Sequence, residues 1–310
     1  MGKRVFISYS HAQSDWVLKR LVPCLEAGGA KVFIDRDRFE AGKGLVGQMD
    51  GTQDAAEASV LVLSPEYLQS PNCTHEMERA IARDPQFQIG SVIPAKRVEC
   101  NLPAAIRQPN PLYVDLRDDK DPAAWSLLLK ACGADLGVAA PDWLKARDDI
   151  VQFLERNQSV NFVVKGRVEW RPLINLIARD FLKALGIVDL DSGATVSREG
   201  LVAEILKACG LRTGVRRRPN DLVALDRIGE RDTISRVALL HFDNIARRNY
   251  GPDLFSSLRY LVMERRKLVL VIGSRSPFET LLSQPPFLPS DYSSSHNIDF
   301  KTVELRGQPS

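Results

Sequence analysis

Short apolar runs that alternate with helical segments constrain this chain more than any other feature of its sequence. Five runs have the length and composition of buried strands; they span residues 3–8, 30–34, 60–63, 90–94 and 111–116. The segments between them place apolar residues at helical spacing, as Trp16, Leu21 and Leu25 do after the first run. Strands that alternate with helices in this way indicate a parallel, doubly wound sheet. The sequence therefore predicts an α/β fold.

The length of 310 residues exceeds the usual size of a single domain. A composition of 44% hydrophobic and 26% charged residues is typical of a globular chain. We place one domain at 1–135, a linker at 136–142 and a second domain at 143–310. The second domain opens with a predicted helix, 143–156, and a predicted strand, 160–164.

Charge and cysteine content exclude several classes of protein. The net charge of +3 is too small to argue for a nucleic-acid partner, although Arg216–Arg218 forms a basic loop. Five cysteines are odd in number and lack paired metal-ligand spacing, which favours small core residues over disulfides or a metal site. No apolar run approaches the roughly 18 residues of a membrane span. We expect a cytoplasmic protein that binds no metal and no membrane.

One stretch, Ser70–Glu78, stands out beyond the third predicted strand. Asn72 is a plausible helix N-cap, and a helix that begins there carries Glu76 near the rim of the sheet, where open α/β folds bind ligands. An early-helix glutamate more often supports the helix through capping or the macrodipole. The residues upstream of Glu76 favour a functional role for it over a purely structural one.

Four blocks in a fixed order resemble a TIR domain over roughly residues 3–135. They are Phe6–His11 (FISYSH), Val32–Asp35 (VFID) with a glycine-bearing loop, Ser-Pro-x-Tyr at 64–67 and Cys-x-x-Glu at 73–76. The resemblance implies a flavodoxin-like parallel sheet flanked by helices. It is greatest to the bacterial, NAD-consuming branch of the family, in which the glutamate of Cys-x-x-Glu is catalytic, and this glutamate maps onto Glu76. One departure is Asn72, where the family often has tryptophan.

The chemistry of NAD⁺ cleavage explains why one carboxylate suffices. Nicotinamide leaves as a neutral molecule from a cationic ring, so no general acid is needed, and a single carboxylate stabilises the developing oxocarbenium charge. Glu76 is the predicted catalytic residue, and NAD⁺ is a substrate rather than a bound cofactor. We expect hydrogen bonds to ribose or phosphate from Ser8, Tyr9 and Ser10. The remaining predicted substrate-binding residues are Asp35, Arg36, Arg38, Phe39, Gly42, Lys43 and Cys73, of which the basic ones suit the pyrophosphate and Phe39 a base.

Two further side chains in this stretch have alternative readings. His75 is a candidate proton donor or acceptor, but its position in an early helical turn favours a structural role. Cys73 is more plausible as a packing residue than as a nucleophile, because nothing in the sequence identifies a base for it.

The second half resembles the nucleotide-binding core of STAND-type P-loop ATPases without its phosphate loop. Gly166–Leu173 occupies the place of the G-x-x-x-x-G-K-[ST] motif, but Arg171, Pro172 and Leu173 replace the second glycine, the lysine and the hydroxyl residue. ATP hydrolysis is therefore not expected. Further predicted strands span 236–243, 268–274 and 298–303, and Asp243 is either a metal ligand or, more in keeping with the missing lysine, a capping residue.

Two functions compete at this point. The first is an NAD⁺ glycohydrolase of bacterial antiphage defence, activated by homo-oligomer assembly through the loop 36–44. The second is a non-catalytic TIR module that acts only as an assembly surface. The C-terminal domain is then a sensor or assembly domain for a trigger or partner protein that the sequence does not identify, or a domain that binds a nucleotide without hydrolysing it.

Overall fold

The structure is a computed structural model that describes residues 2–34, 51, 53–166, 168–181, 184–211, 221–248, 250–283 and 298–307. The chain divides into two compact units, Met1–Leu144 and Lys145–Ser310. A helix, Ala140–Glu155, begins inside the predicted linker 136–142 and continues past this division. The linker is thus helical in its last residues, and the predicted domain limits stay a prediction.

The first unit contains a five-stranded parallel sheet in the order β2-β1-β3-β4-β5. Its strands are β1 Arg4–Tyr9, β2 Lys31–Ile34, β3 Ala58–Leu63, β4 Val92–Lys96 and β5 Val114–Asp115. In β1, Ile7 pairs with Ile34 on one side and with Val60 on the other. This order is the flavodoxin-like one, which confirms the predicted fold class for this unit.

Helices connect these strands. The α-helices of this unit whose bounds the structure describes are α1 Ser14–Trp16, α2 Val22–Ala27, α3 Pro65–Gln69, α4 Pro71–Arg83, α5 Ala104–Arg107 and α6 Pro122–Ala131. A 3₁₀ turn at His11–Gln13 precedes α1, and a π-helical turn at Val17–Leu21 joins α1 and α2 into one helical segment. All six residues of β3 are buried, which fits the near-continuous apolar run of a strand covered on both faces.

The second unit contains another five-stranded parallel sheet, in the order β10-β6-β9-β8-β7. Its strands are β6 Val160–Lys165, β7 Leu185–Asp189, β8 Ser235–Leu240, β9 Leu268–Ser274 and β10 Lys301–Arg306. This sheet confirms the prediction of a second α/β domain.

The described helices that follow α7, Ala140–Glu155, lie between these strands in sequence. They are α8 Trp170–Leu176, α9 Arg198–Ala208, α10 Asp221–Gly229, α11 Pro252–Arg259 and α12 Phe278–Leu282. π-helical turns at Ile177–Phe181 and Tyr260–Glu264 follow α8 and α11, and 3₁₀ turns lie at Gly193–Thr195 and Phe242–Arg247.

Sequence patterns misplaced two strand limits in this unit. The strand predicted at 236–243 ends at Leu240, because His241 is left-handed with φ of 55° and a 3₁₀ turn follows. The strand predicted at 298–303 begins only at Lys301. Before it, the Phe300 N–H donates to the Ile298 carbonyl, a tight turn that buries both side chains.

The strand β7 was missed in the sequence because Gly186 interrupts its apolar pattern. A Cβ at Gly186 would lie 2.4 Å from the carbonyl oxygen of Ala208, the last residue of α9. Glycine is therefore required where this helix approaches the strand, and it marks a close contact rather than a break.

No described helix combines the length and the apolarity that crossing a bilayer demands. A cytoplasmic location stays a prediction.

Candidate functional site

The site forms where the strand order of the first sheet reverses. The chain leaves β1 toward β2 on one side and later returns to β3 on the other. In open α/β sheets, ligands bind in the crevice beyond the carboxyl ends of the strands at such a reversal. The carboxyl end of β1 carries Tyr9 and Ser10, and α4 begins with Pro71 a short distance after β3.

Helix α4 delivers Glu76 to this crevice. Its N-cap is Ser70, whose Oγ accepts the Cys73 N–H at 3.4 Å, and Pro71 takes the first helical position. The predicted cap at Asn72 is wrong: Asn72 is the second residue of the helix. Glu76 therefore lies in the second turn, on the buried side together with Cys73 and Met77.

The Glu76 carboxylate ends a chain of buried hydrogen bonds. Ser8 Oγ donates to Glu76 Oε2 at 2.5 Å, and the Tyr67 hydroxyl lies 2.8 Å from the same Oγ. The exposed fractions of Ser8, Tyr67 and Glu76 are 1%, 0% and 4%. Because the single hydroxyl proton of Ser8 goes to the carboxylate, Tyr67 donates to Ser8. Three elements, β1, α3 and α4, thus hold one carboxylate oxygen in place.

Two more contacts fix the backbone around Glu76. Gln53 Nε2 donates to the Glu76 carbonyl oxygen at 2.8 Å, although Gln53 is far away in sequence. The Cys73 thiol lies 3.6 Å from the Tyr9 carbonyl oxygen and donates to it. This contact ties the start of α4 to the end of β1, and it supports the reading of Cys73 as a packing residue.

The surroundings of Tyr67 affect its ionisation. Burial raises the pKa of the Tyr67 phenol well above its ordinary value, the Glu76 charge acts in the same direction, and the hydrogen bond with Ser8 acts against them. The phenol therefore stays protonated and remains a hydrogen-bond donor at neutral pH.

A cavity of about 120 Å³ opens beside this chain of hydrogen bonds. Its described lining consists of Ile7, Tyr9, Ser10, His11, Ser70, Asn72, Cys73 and Glu76. Asn72, which stands where the TIR family often has tryptophan, is exposed and lies on this lining. A flat stacking surface is therefore replaced by an amide at this wall of the cavity.

The structure brings together five of the predicted site residues, namely Ser8, Tyr9, Ser10, Cys73 and Glu76. The other six, Asp35, Arg36, Arg38, Phe39, Gly42 and Lys43, lie outside the described residues. His75 is exposed and is not part of the described cavity lining. The role of every one of these residues stays a prediction.

Sequence reasoning did not single out Tyr67, Gln53, Ser70 or His11 as parts of the site. Tyr67 belongs to a Ser-Pro-x-Tyr block that was noted, but its hydroxyl partner is decided by how α3 packs against β1. His11 follows directly after the predicted residues Ser8–Ser10, so the site could have been extended to it. Gln53 gives no signal in the sequence.

In the second unit, the place of a phosphate loop is filled by side chains. The guanidinium of Arg275 lies 4.2 Å from the centre of the Trp170 ring and donates to the carbonyl oxygens of Gly166 and Val168 at 2.8 and 3.0 Å. Both carboxylate oxygens of Asp243 accept the Arg275 N–H, at 3.0 and 2.8 Å. This arrangement turns carbonyl groups rather than N–H groups toward the arginine, and it gives Asp243 a structural partner.

The replaced motif residues have structural contacts of their own. Arg171 pairs with Asp189, and Leu173 is fully buried. The described residues contain no group of three or more His, Cys, Asp or Glu side chains placed to hold a metal ion.

Comparison with known proteins gives a family for the first unit. Residues 5–129 match the protein-family model described as TIR domain. Toll-like receptor 6 of Bos taurus and Toll-like receptor 1 of Homo sapiens are each 36% identical to this chain over 72 residues. The match covers 23% of this chain and 9% of each receptor, so this chain aligns with under a tenth of their length.

Solved structures resemble each unit separately. The TIR domain of the Toll-related receptor TRR-2 from Hydra magnipapillata aligns with a TM-score of 0.36 and 22% identity, covering 41% of this chain and 94% of that chain. The ORC1 protein of Aeropyrum pernix, solved in complex with DNA, aligns with a TM-score of 0.38 and 16% identity, covering 54% of this chain and 45% of that chain. At such low scores, the fold description rests on the strand orders given above.

Proposed function

Residues 5–129 form a TIR domain, and from this premise we propose that the chain is an NAD⁺ nucleosidase that cleaves the nicotinamide–ribose bond with Glu76. The observation that carries the proposal is the placement of Glu76. It is a buried carboxylate at the point where the strand order reverses, it is oriented by Ser8, and it lines a cavity.

The proposed reaction asks little of the protein beyond one negative charge. As the bond between the ribose C1′ and the nicotinamide nitrogen breaks, its electron pair moves to the pyridinium ring and neutralises it. Positive charge develops on the ribose, where the Glu76 carboxylate stabilises it. Water then attacks C1′ and releases a proton, which gives nicotinamide and ADP-ribose. A carboxylate that is already oriented contributes most, because it does not reorganise during the reaction.

The neighbouring residues have supporting roles in this proposal. The Ser8 hydroxyl holds one oxygen of the Glu76 carboxylate and so orients this group toward the cavity that it lines. Ser10 and Tyr9 line the same cavity and supply polar groups for the ribose. The pyrophosphate and the adenine are assigned to the basic and aromatic residues of the loop 36–44, as the resemblance implies.

The described cavity accounts for only part of a dinucleotide site. Its volume of about 120 Å³ is below the roughly 300–1,000 Å³ of typical small-molecule sites. We assign it to the nicotinamide riboside end of the substrate, since that end contains the bond to be broken.

Activation by assembly completes the proposal. A cell does not tolerate constant NAD⁺ destruction, so we infer that the enzyme is off as a monomer and active as a homo-oligomer. We assign this switch to the second unit, as sensor or assembly domain, and place the protein in bacterial antiphage defence.

A non-catalytic assembly module is the second candidate. The 4% exposure of Glu76 and the small described cavity favour it, since both suit a packed carboxylate. The similarity of this chain to proteins named as receptors also favours the assembly module.

One experiment separates the two candidates. The full chain is concentrated stepwise and incubated with NAD⁺, and nicotinamide is measured by chromatography. NADH is the matched control, because its uncharged dihydronicotinamide is a poor leaving group. We expect nicotinamide release from NAD⁺ that rises more than linearly with protein concentration, and none from NADH. The absence of release at every concentration would favour the assembly module.

A further inference from the structure

A second cavity lies in the second unit, at the edge where its strands begin. Its volume is about 520 Å³, within the range of roughly 300–1,000 Å³ that small-molecule sites occupy. Ser159 precedes β6, while Leu268 and Lys301 are the first residues of β9 and β10. The arginine and tryptophan that fill the place of the phosphate loop follow the opposite, carboxyl ends of the strands. The two places are therefore distinct.

The walls of this cavity differ in character. One part is aliphatic or thioether surface, from Ile234, Val262, Met263, Leu268 and Val269. The other part carries three cations, Arg156, Arg266 and Lys301, and one acid, Asp299. The balance of these four charges is +2, and the described lining contains no aromatic ring.

The cations are largely unpaired within the described part of the chain. Neither guanidinium, of Arg156 or of Arg266, makes a hydrogen bond or ion pair with a described residue. Lys301 Nζ lies 3.3 Å from the carboxylate of Asp299, which precedes β10 by two residues. Arginine forks that have no acceptor among the described residues are available to an anion that enters the cavity.

The backbone conformation at Arg266 is unfavourable for an arginine, which suggests that the side chain is needed at this position. The φ of Arg266 is 52°, in the left-handed region that glycine adopts without strain and that residues with a long side chain rarely adopt. Asn157 has a φ of 56° at the end of α7, but asparagine tolerates this conformation well. The macrodipole favours cations after the ends of the helical segments at 155 and 264, which accounts in part for Arg156 and Arg266. It does not account for Lys301, which begins a strand.

We propose that this cavity binds a small phosphate monoester whose organic part is apolar. A phosphate monoester carries about −1.5 to −2 charges at neutral pH, which matches the +2 balance of the lining. The arginine forks suit its oxygens, and the aliphatic wall with Met263 adapts to the organic part. The absence of a ring for stacking in the described lining argues against a nucleobase.

The test uses the full chain and phenyl phosphate as the probe, with binding followed by calorimetry. Inorganic phosphate presents the charge without the organic part, and phenol presents the organic part without the charge. We expect phenyl phosphate to bind at least about tenfold more tightly than either of them. Equal binding of inorganic phosphate or phenol, or no binding of phenyl phosphate, would overturn the proposal.

Two variants locate the site. Arg266→Gly removes a cation and also relieves the left-handed backbone, so it should weaken phenyl phosphate binding about tenfold while raising the melting temperature by about 2–4 °C. Arg306→Ala is the matched control, because it removes the same charge at the far end of β10. It should leave binding unchanged. Equal losses in the two variants would indicate general charge attraction and contradict the site.

Discussion

Neighbouring side chains hold both the carboxylate and the backbone carbonyl of Glu76. Ser8 fixes one carboxylate oxygen, Tyr67 fixes Ser8, and Gln53 fixes the Glu76 carbonyl. Such support matters in an active site because a carboxylate that is already oriented stabilises developing charge without reorganising. At the scale of single residues, the proposed function therefore depends on Tyr67 and Ser8 as well as on Glu76.

Removing the Tyr67 hydroxyl tests this support. Tyr67→Phe keeps the ring but leaves the Ser8 oxygen without its donor. The lost hydrogen bond is worth about 1 kcal/mol, so we expect kcat for nicotinamide release to fall roughly fivefold with little change in KM. Tyr113→Phe, at a half-buried tyrosine elsewhere in the same unit, is the control and should keep wild-type kcat. A loss confined to KM would show that Tyr67 does not act through Glu76.

Ionisation of the Tyr67 hydroxyl should make the free energy of unfolding depend on pH. The pKa of Tyr67 is raised well above its ordinary value of 10.0 in the folded protein, mainly by burial. Below that ordinary value the phenol is protonated in both states, and above it only the unfolded state releases the proton. The free energy of unfolding should therefore fall as pH rises past 10, by up to about 1.4 kcal/mol per pH unit.

Urea unfolding of the wild type and of Tyr67→Phe between pH 9 and 11 measures this slope. The variant should lose less stability over that interval. Identical slopes for the two proteins would contradict the assignment of a raised pKa to Tyr67.

At the scale of elements, the sequence predicted more of the sheets than of the site. Apolar runs such as 60–63 and 268–274 are covered on both faces, so composition alone marks them as strands. Glu76 and Ser8 were predicted as site residues because they belong to a recognisable pattern, and their roles stay predictions. Tyr67 and Gln53 were not assigned, because their partners depend on how α3 and α4 pack on β1, which no local pattern encodes. The strand β7 was missed because Gly186 interrupts its apolar run. Glycine is required there by the close approach of Ala208 at the end of α9.

The start of α4 is an element whose capping is testable. Ser70→Ala removes the oxygen that accepts the Cys73 N–H. We expect a loss of about 0.5–1 kcal/mol in the free energy of unfolding, at the lower end for N-caps because the contact is long. Ser126→Ala is the control, an exposed serine inside α6, where alanine should be neutral or stabilising. Equal effects of the two substitutions in urea unfolding would show that Ser70 is not the cap.

At the scale of the whole molecule, the two units have similar parallel sheets, but the space at the carboxyl ends of their strands differs. The first keeps a cavity there, lined by polar groups and a carboxylate. The second fills the corresponding place with Trp170 and Arg275 and uses Asp243 to hold the Arg275 backbone. The proposed chemistry of the chain is therefore assigned to the first unit.

This assignment predicts that the chain does not hydrolyse ATP. Pro172 removes an N–H from the region that would cradle phosphate, and Leu173, in place of the metal-binding hydroxyl, is buried. Phosphate release from ATP should stay at background for the full-length Glu76→Gln variant, in which the proposed NAD⁺ chemistry is removed. ATP turnover above that of a heat-denatured sample would contradict the structural reading of the second unit.

The most direct test of the central claim compares two glutamates of one helix. Glu76→Gln and Glu78→Gln each remove one charge from α4, but Glu76 is buried in the site and Glu78 is exposed. Nicotinamide release from NAD⁺ is measured for both variants and the wild type, at equal protein concentration and after melting curves show that all three are folded. We expect a loss of about 10²-fold or more for Glu76→Gln and wild-type rates for Glu78→Gln. Wild-type release by Glu76→Gln would contradict the central claim.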